Sequence, residues 1–257
     1  MPDRYDVLRE LGLLPEWRLR AGAAPPCIRP TAPIASDSAL EQTAVRCDVG
    51  ATDRPARIAA LGWTDFAADV AACEACSLCK TRNRTVPGVG DLRAEWMLVG
   101  EAPGAEEDAK GEPFVGQAGR LLDNMLAALG MRRDRYVYIA NVLKCRPPGN
   151  RAPTPVEIES CRPYLDRQIE LIRPKLIIAL GKSAATTLLN VDATIASMRG
   201  RIHRYRSVPL IVTYHPAYLL RNLPDKAKAW EDLCLARATT RRLEVDGDLQ
   251  TTPAAPN

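Results

Sequence analysis

The chain has 257 residues, with 35 Lys plus Arg against 31 Asp plus Glu and a formal net charge of +4. Hydrophobic residues make up 46% and charged residues 26%, ordinary for a globular protein, which excludes a wholly disordered chain. No purely apolar run exceeds five residues and the first residues carry acids without an apolar core, so neither a membrane span nor a secretory signal is expected and a cytoplasmic location is.

In chain order, Arg4–Leu11 reads as a short amphipathic helix with Gly12 as its stop. From Ala21 to about Pro55 the sequence is rich in Ala, Pro, Ser and Thr without periodicity, which reads as a linker with Cys27 and Cys47 as bystanders. A second short helix is expected from about Thr64. Beyond Trp96 the pattern alternates. Strands are predicted over Trp96–Val99, Tyr136–Ala140, Lys175–Leu180 and Leu210–Thr213. Helices are predicted over Gln117–Leu129, from the capping box Thr154-Pro155-Val156-Glu157 to before Pro174, over Lys182–Leu189 and over roughly Asp225–Arg242, with a frayed tail from Gly247. This alternation predicts an α/β fold, three layers α/β/α around a central, mainly parallel four-stranded sheet. The expected organisation is an N-terminal helix and linker over residues 1–70, partly disordered, a folded domain over 71–245 and a flexible tail over 246–257.

Ligands of such sheets bind beyond the carboxyl ends of the strands. Those positions hold Gly100-Glu101-Ala102-Pro103-Gly104, Asn141, Gly181-Lys182-Ser183 and Tyr214-His215-Pro216, so a carboxylate, an amide and an imidazole converge from three distant stretches. Gly181-Lys182-Ser183 is not the end of a phosphate-cradling loop, because the earlier glycine would fall at Leu176. Residues 1–72 carry 8 basic and 10 acidic groups, whereas 73–257 carry 27 and 21. That basic excess suits a polyanion partner as well as it suits an ordinary solvated surface. Arg199–Arg206 concentrates four arginines, fitting either a nucleic-acid backbone contact or a solvated edge strand.

Eight cysteines are many for a chain expected in a reducing compartment, and only two histidines accompany them. Cys73, Cys76 and Cys79 form a CxxCxxC run, with Cys145 and Cys161 further on. A site of four thiolates fits zinc or an iron–sulfur cluster, and five candidates compete for four places.

Four segments, CEACSLCKTRNRTVPGVG, GEAPGAEEDAKGEPFVGQAG, YIANVLKCRPPGNRAP and HPAYLLRN, in this order resemble the type-4, iron–sulfur uracil-DNA glycosylases over roughly residues 70–240. The resemblance implies excision of uracil from single- or double-stranded DNA by hydrolysis of the N-glycosidic bond, carried out at the nucleoid by a monomer. It implies a [4Fe–4S] cluster on Cys73, Cys76, Cys145 and Cys161, with Cys79 left out. The uracil pocket would comprise Gly100, Glu101, Ala102, Glu107, Phe114, Asn141 and His215. In it Phe114 stacks on the base, Asn141 pairs with N3–H and O4, and His215 donates to O2, where charge grows as the bond breaks. From His215 to Arg221 runs the loop expected to enter the minor groove, with Leu219 filling the vacated stack and Arg221 near a phosphate. Other classes of the superfamily have a water-activating Asp where this chain has Ala102, so Glu101, Glu107 or the backbone must orient the water. The alternative reading is an iron–sulfur module that binds or traps uracil-DNA without turnover.

Overall fold

A computed structural model describes residues 54–251, with side chains through 245. These residues lie within the second of two units, Asp48–Asn257; the helix expected at Arg4–Leu11 and nearly all of the linker fall outside them. The elements are α1 (Arg54–Ala59), α2 (Trp63–Ala71), β1 (Val89–Gly90), β2 (Trp96–Gly100), α3 (Ala105–Lys110), α4 (Gln117–Ala127), β3 (Val137–Asn141), α5 (Pro155–Ile172), β4 (Leu176–Leu180), α6 (Lys182–Leu189), α7 (Ile195–Met198), β5 (Ile202–Tyr205), β6 (Val208–Thr213), α8 (Pro216–Leu219) and α9 (Asp225–Thr251).

The sheet runs in the order β1-β3-β2-β4-β6-β5. Its four inner strands are parallel, as expected, but it has six strands rather than four. The added strands, β1 and β5, are antiparallel edges. Both are short, and β5 carries Arg204 outward, which is how open sheets discourage pairing with other chains. The inner strands are apolar on both faces because helices cover both. Met97, Val99, Tyr138, Ala140, Ile177 and Ala179 pack with Leu165 and Ile169 of α5 and Ala184 and Leu188 of α6. The alternate residues, Trp96, Leu98, Ile139, Ile178 and Ile211, pack with Leu122 and Leu126 of α4 and Leu233 of α9. Trp96 Nε1–H donates to Thr240 Oγ1 at 2.8 Å, pinning α9 to the middle of the sheet.

Two differences at the ends of the domain have plain causes. Helix α1 begins where the sequence reads as linker, because Ile58 joins Phe66, Val70 and Tyr164 in a small core between α1, α2 and α5 that no local pattern announces. Helix α9 continues past Arg242 to Thr251, through the stretch expected to fray. Elsewhere the predicted breaks hold. Thr154 caps α5 reciprocally with Glu157, and α5 closes on Arg173 in the left-handed conformation just before Pro174.

The register fixes where chemistry can sit. Gly100 pairs with Asn141 and Leu180 with Thr213, so the parallel strands end nearly level. The segments after them, 101–104, 142–151, 181–183 and 214–221, therefore share one edge of the sheet.

Candidate active site and cysteine pocket

At that edge lies a cleft of about 520 Å³. Of the expected site residues, Glu101, Ala102, Glu107, Phe114, Asn141, His215 and Arg221 line it. Gly100 does not. It sits behind the cleft, where a Cβ would collide with Asn141 Oδ1 and lie 2.8 Å from the Phe114 ring, so the missing side chain is what lets the amide and the ring come together.

Phe114 holds a φ of 55°, a left-handed backbone that a bulky residue rarely adopts. The loop is held there from outside: Arg133 donates to the carbonyls of Pro113 and Phe114, and Glu107 Oε1 accepts from Val115 N–H at 3.0 Å. The other Glu107 oxygen accepts from Gly104 N–H at 3.1 Å. Glu107 thus borders the cleft while both its oxygens are committed to the backbone.

Asn141 is 2% exposed, and among the described residues its Oδ1 has no hydrogen-bond partner. A buried amide oxygen without a donor costs roughly 1–3 kcal/mol, so it marks a place where a ligand's polar edge completes the bonding. Opposite it the Phe114 and His215 rings stack at 5.3 Å between centroids and 29° between planes. His215 caps α8, its Nδ1 accepting from Ala217 N–H at 3.1 Å, which leaves the proton on Nε2. Burial holds its pKa down to about 4, against the pull of nearby Glu107, so at neutral pH it is a neutral donor. Gly181, at φ 92°, lies 3.0 Å from His215 Cβ at the position of its own absent Cβ, and it backs the imidazole as Gly100 backs the amide. Glu101 is half-buried. Burial raises its pKa, partly offset by a hydrogen bond to the Ser183 side chain.

The far wall comes from residues that sequence reasoning passed over: Pro147, Asn150 and Arg151. Arg151 clasps the buried Glu157 carboxylate through two bonds of 2.6 and 2.9 Å, and that guanidinium holds Glu157 down to about 2. The signal was present in the capping box, whose Glu157 had a second duty.

Leu219 does not face the cleft. It is 0% exposed, packed with Tyr214 and Ala229, whereas its neighbour Leu220 is 39% exposed beside Arg221. The four-residue helix α8 turns the first leucine into the core and the second outward. The arginine run is the edge strand β5 and its flanks. Arg199 is bound to Asp232, and Arg206 to Asp166 and Glu170, so two of its four cations already have partners.

A second, largely closed cavity lies beneath the start of α5. Cys73, Cys76, Cys145 and Cys161 all line it; Cys79 does not. Three of the four sulfurs face N–H donors: Arg54 to Cys73 at 3.4 Å, Arg82 to Cys145 at 3.4 Å, and the Lys144 peptide to Cys161 at 3.3 Å. Burial pushes the Cys161 thiol up to about 12 despite Lys144, so it would ionise only with a cationic centre to receive it. Among the described residues no three His, Cys, Asp or Glu groups close around a single ion. Four thiolates lining one apolar cavity are a donor set that suits zinc or an iron–sulfur cluster.

An α/β sheet whose carboxyl edge carries an aromatic shelf, a buried amide and a neutral imidazole is a scaffold for recognising a flat polar base. A family model described as the uracil DNA glycosylase superfamily matches residues 87–234. A type-4 uracil-DNA glycosylase of Archaeoglobus fulgidus is 49% identical over 164 residues, covering 61% of this chain and 82% of the relative. One of Thermotoga maritima is 46% identical over 158 residues, with 61% and 82% covered. A type-5 uracil-DNA glycosylase of Pyrobaculum aerophilum is 35% identical over 153 residues, with 53% and 67% covered. The chain belongs to the type-4 uracil-DNA glycosylase family.

Proposed function

We propose that this protein removes uracil from DNA, hydrolysing the N-glycosidic bond and leaving an abasic site. The observation that carries this reading is the unpartnered amide oxygen of buried Asn141, set in the same cleft as the stacked Phe114 and His215. A uracil turned out of the stack would lie against Phe114 and complete the Asn141 bonds with N3–H and O4. As the glycosidic bond lengthens, negative charge grows on O2. His215 Nε2–H answers it as a neutral donor that need not be charged inside the protein. Glu101 orients the attacking water, because among the described residues its carboxylate meets only the Ser183 side chain, while Glu107 is committed to the Gly104 and Val115 amides. Leu220, rather than Leu219, fills the gap left in the stack, and Arg221 and Arg151 flank the backbone on the two cleft walls.

Cys73, Cys76, Cys145 and Cys161 would hold a [4Fe–4S] cluster. When bound, it supplies four metal–sulfur links that tie the segment before the sheet to the end of β3 and the start of α5. An enzyme with a DNA substrate is expected to act at the nucleoid in the cytoplasm. Among the described residues no helix is long and apolar enough to cross a membrane.

The test is incubation of the purified protein with a uracil-containing oligonucleotide, with free uracil and abasic sites measured separately. Release of both supports the reading. Tight or covalent capture without free uracil would replace it with a trapping module.

A further inference from the structure

Just past Asn141 the chain turns toward Cys145, and within that turn Lys144 is buried. Its ammonium donates to the main-chain carbonyl of Asn141 at 2.7 Å and to Gln168 Oε1 at 2.6 Å. Neither acceptor is an acid. A lysine so enclosed carries a desolvation cost that an aliphatic side chain of similar length would avoid, so its position calls for a physical reason.

The end of the sheet supplies that reason. Strand β1 pairs with β3 only at Val89↔Ile139 and Gly90↔Tyr138. Before it the register shifts, and Val86 N–H donates to the Lys144 carbonyl at 2.8 Å. The Asn141 carbonyl lies past the paired stretch, and a buried carbonyl there needs a donor from elsewhere. Lys144 is that donor. Gln168 braces it, accepting from the ammonium while its own Nε2 donates to the Pro87 carbonyl at 2.6 Å and to Tyr138 Oη at 3.0 Å. The Lys144–Gln168 pair therefore holds the Asn141 carbonyl where the β1 pairing has ended, at the residue whose amide lines the cleft.

We propose that Lys144 is a positioning residue for uracil excision, fixing the Asn141 peptide so that its amide meets the base edge in one orientation. This rests on the reading of Asn141 given above. The role belongs to the turnover step rather than to DNA binding, because Lys144 lies behind Asn141 and does not line the cleft.

The experiment is a double-mutant cycle on iron-loaded protein. Lys144→Met should keep wild-type iron content, visible absorption and affinity for a uracil oligonucleotide. Its single-turnover excision should fall about tenfold to a hundredfold, the scale for a buried acceptor left without its donor. In an Asn141→Ala background the same change should cost nothing further, whereas a merely structural role would lower the rate equally in both backgrounds. Should Lys144→Met fail to load iron, Lys144→Gln, which keeps an N–H donor in the same turn, takes its place in the cycle. Iron loss in both variants, additive losses, or an unchanged Lys144→Met rate would overturn the positioning role. If wild-type protein releases no uracil, the underlying reading fails instead; if Asn141→Ala is impaired while Lys144→Met is not, only the positioning role falls.

Discussion

The cysteine pocket and the cleft are built from neighbouring parts of one chain by opposite rules. The pocket is largely closed and apolar, drawing together α2, the turn after it, the end of β3 and α5, and three of its four sulfurs already meet donors from Arg54, Arg82 and the Lys144 peptide. The cleft is open, its walls are loops beyond the strand ends, and among the described residues its central amide oxygen has no partner. A group held for the life of the protein, as proposed for the pocket, calls for enclosure, whereas a passing substrate needs access and unmet bonds. Substitutions in the pocket should therefore act on the fold, and those in the cleft on the chemistry.

The sharpest separation should come from the cysteines. Cys145→Ser or Cys161→Ser is expected to lose iron and much of the cooperative unfolding transition, while Cys79→Ala keeps about four irons and broad absorption near ~400 nm. Iron content and thermal melts read both. Iron loss in Cys79→Ala with retention in Cys161→Ser would break the assignment of the pocket.

In the cleft, Asn141→Asp should leave the melting curve near wild type yet lower uracil excision by roughly 10⁴-fold, since a site built on hydrogen bonds rejects a mismatched edge strongly. Weak cytosine release should appear, because an acceptor now faces the cytosine amino group. Matched uracil and cytosine oligonucleotides in single turnover measure this.

His215→Ala should cost about 10²–10³-fold, the scale for losing one donor to developing charge, without altering the base preference. Because burial holds His215 near about 4, wild-type single-turnover rates should show no imidazole inflection around pH 6.5. The sign for stability is definite. The unfolded imidazole takes up a proton near its ordinary value and the folded one does not, so between about 6.5 and about 4 the unfolded state binds more protons. This contribution is intact above that window and is lost as pH falls through it. Acid denaturation of wild type and His215→Ala, compared over that range, should show the slope only in wild type.

The adjacent leucines compare core and surface within two residues. Leu219→Ala should destabilise by about 2–5 kcal/mol, as for a fully buried leucine. Leu220→Ala should change stability by less than about 0.5 kcal/mol while slowing excision on double-stranded DNA more than on single-stranded DNA. The smallest effect is expected at Arg206, whose carboxylate partners already hold it. Arg206→Ala should shift stability by under about 1 kcal/mol and leave the salt dependence of DNA binding unchanged.

By itself the sequence determined the four parallel strands, because runs such as Leu176–Leu180 are apolar on both faces, and the helix starts and stops, because Thr154, Gly130 and Pro174 act locally. It also placed Glu101, Asn141 and His215 on one edge, since alternation of strand and helix forces strand ends together. It could not place α1, whose Ile58 is buried by Phe66 and Val70 of α2 and the distant Tyr164, nor choose between Leu219 and Leu220, which depends on how one short helix meets α9. Likewise Gly100 had to be seen in three dimensions to be recognised as the gap into which Phe114 and Asn141 fit. The bond between Lys144 and the Asn141 carbonyl was beyond the sequence for the same reason. It exists because the turn after β3 folds Lys144 back onto the strand end and α5 brings Gln168 to brace it, and only long-range packing sets both.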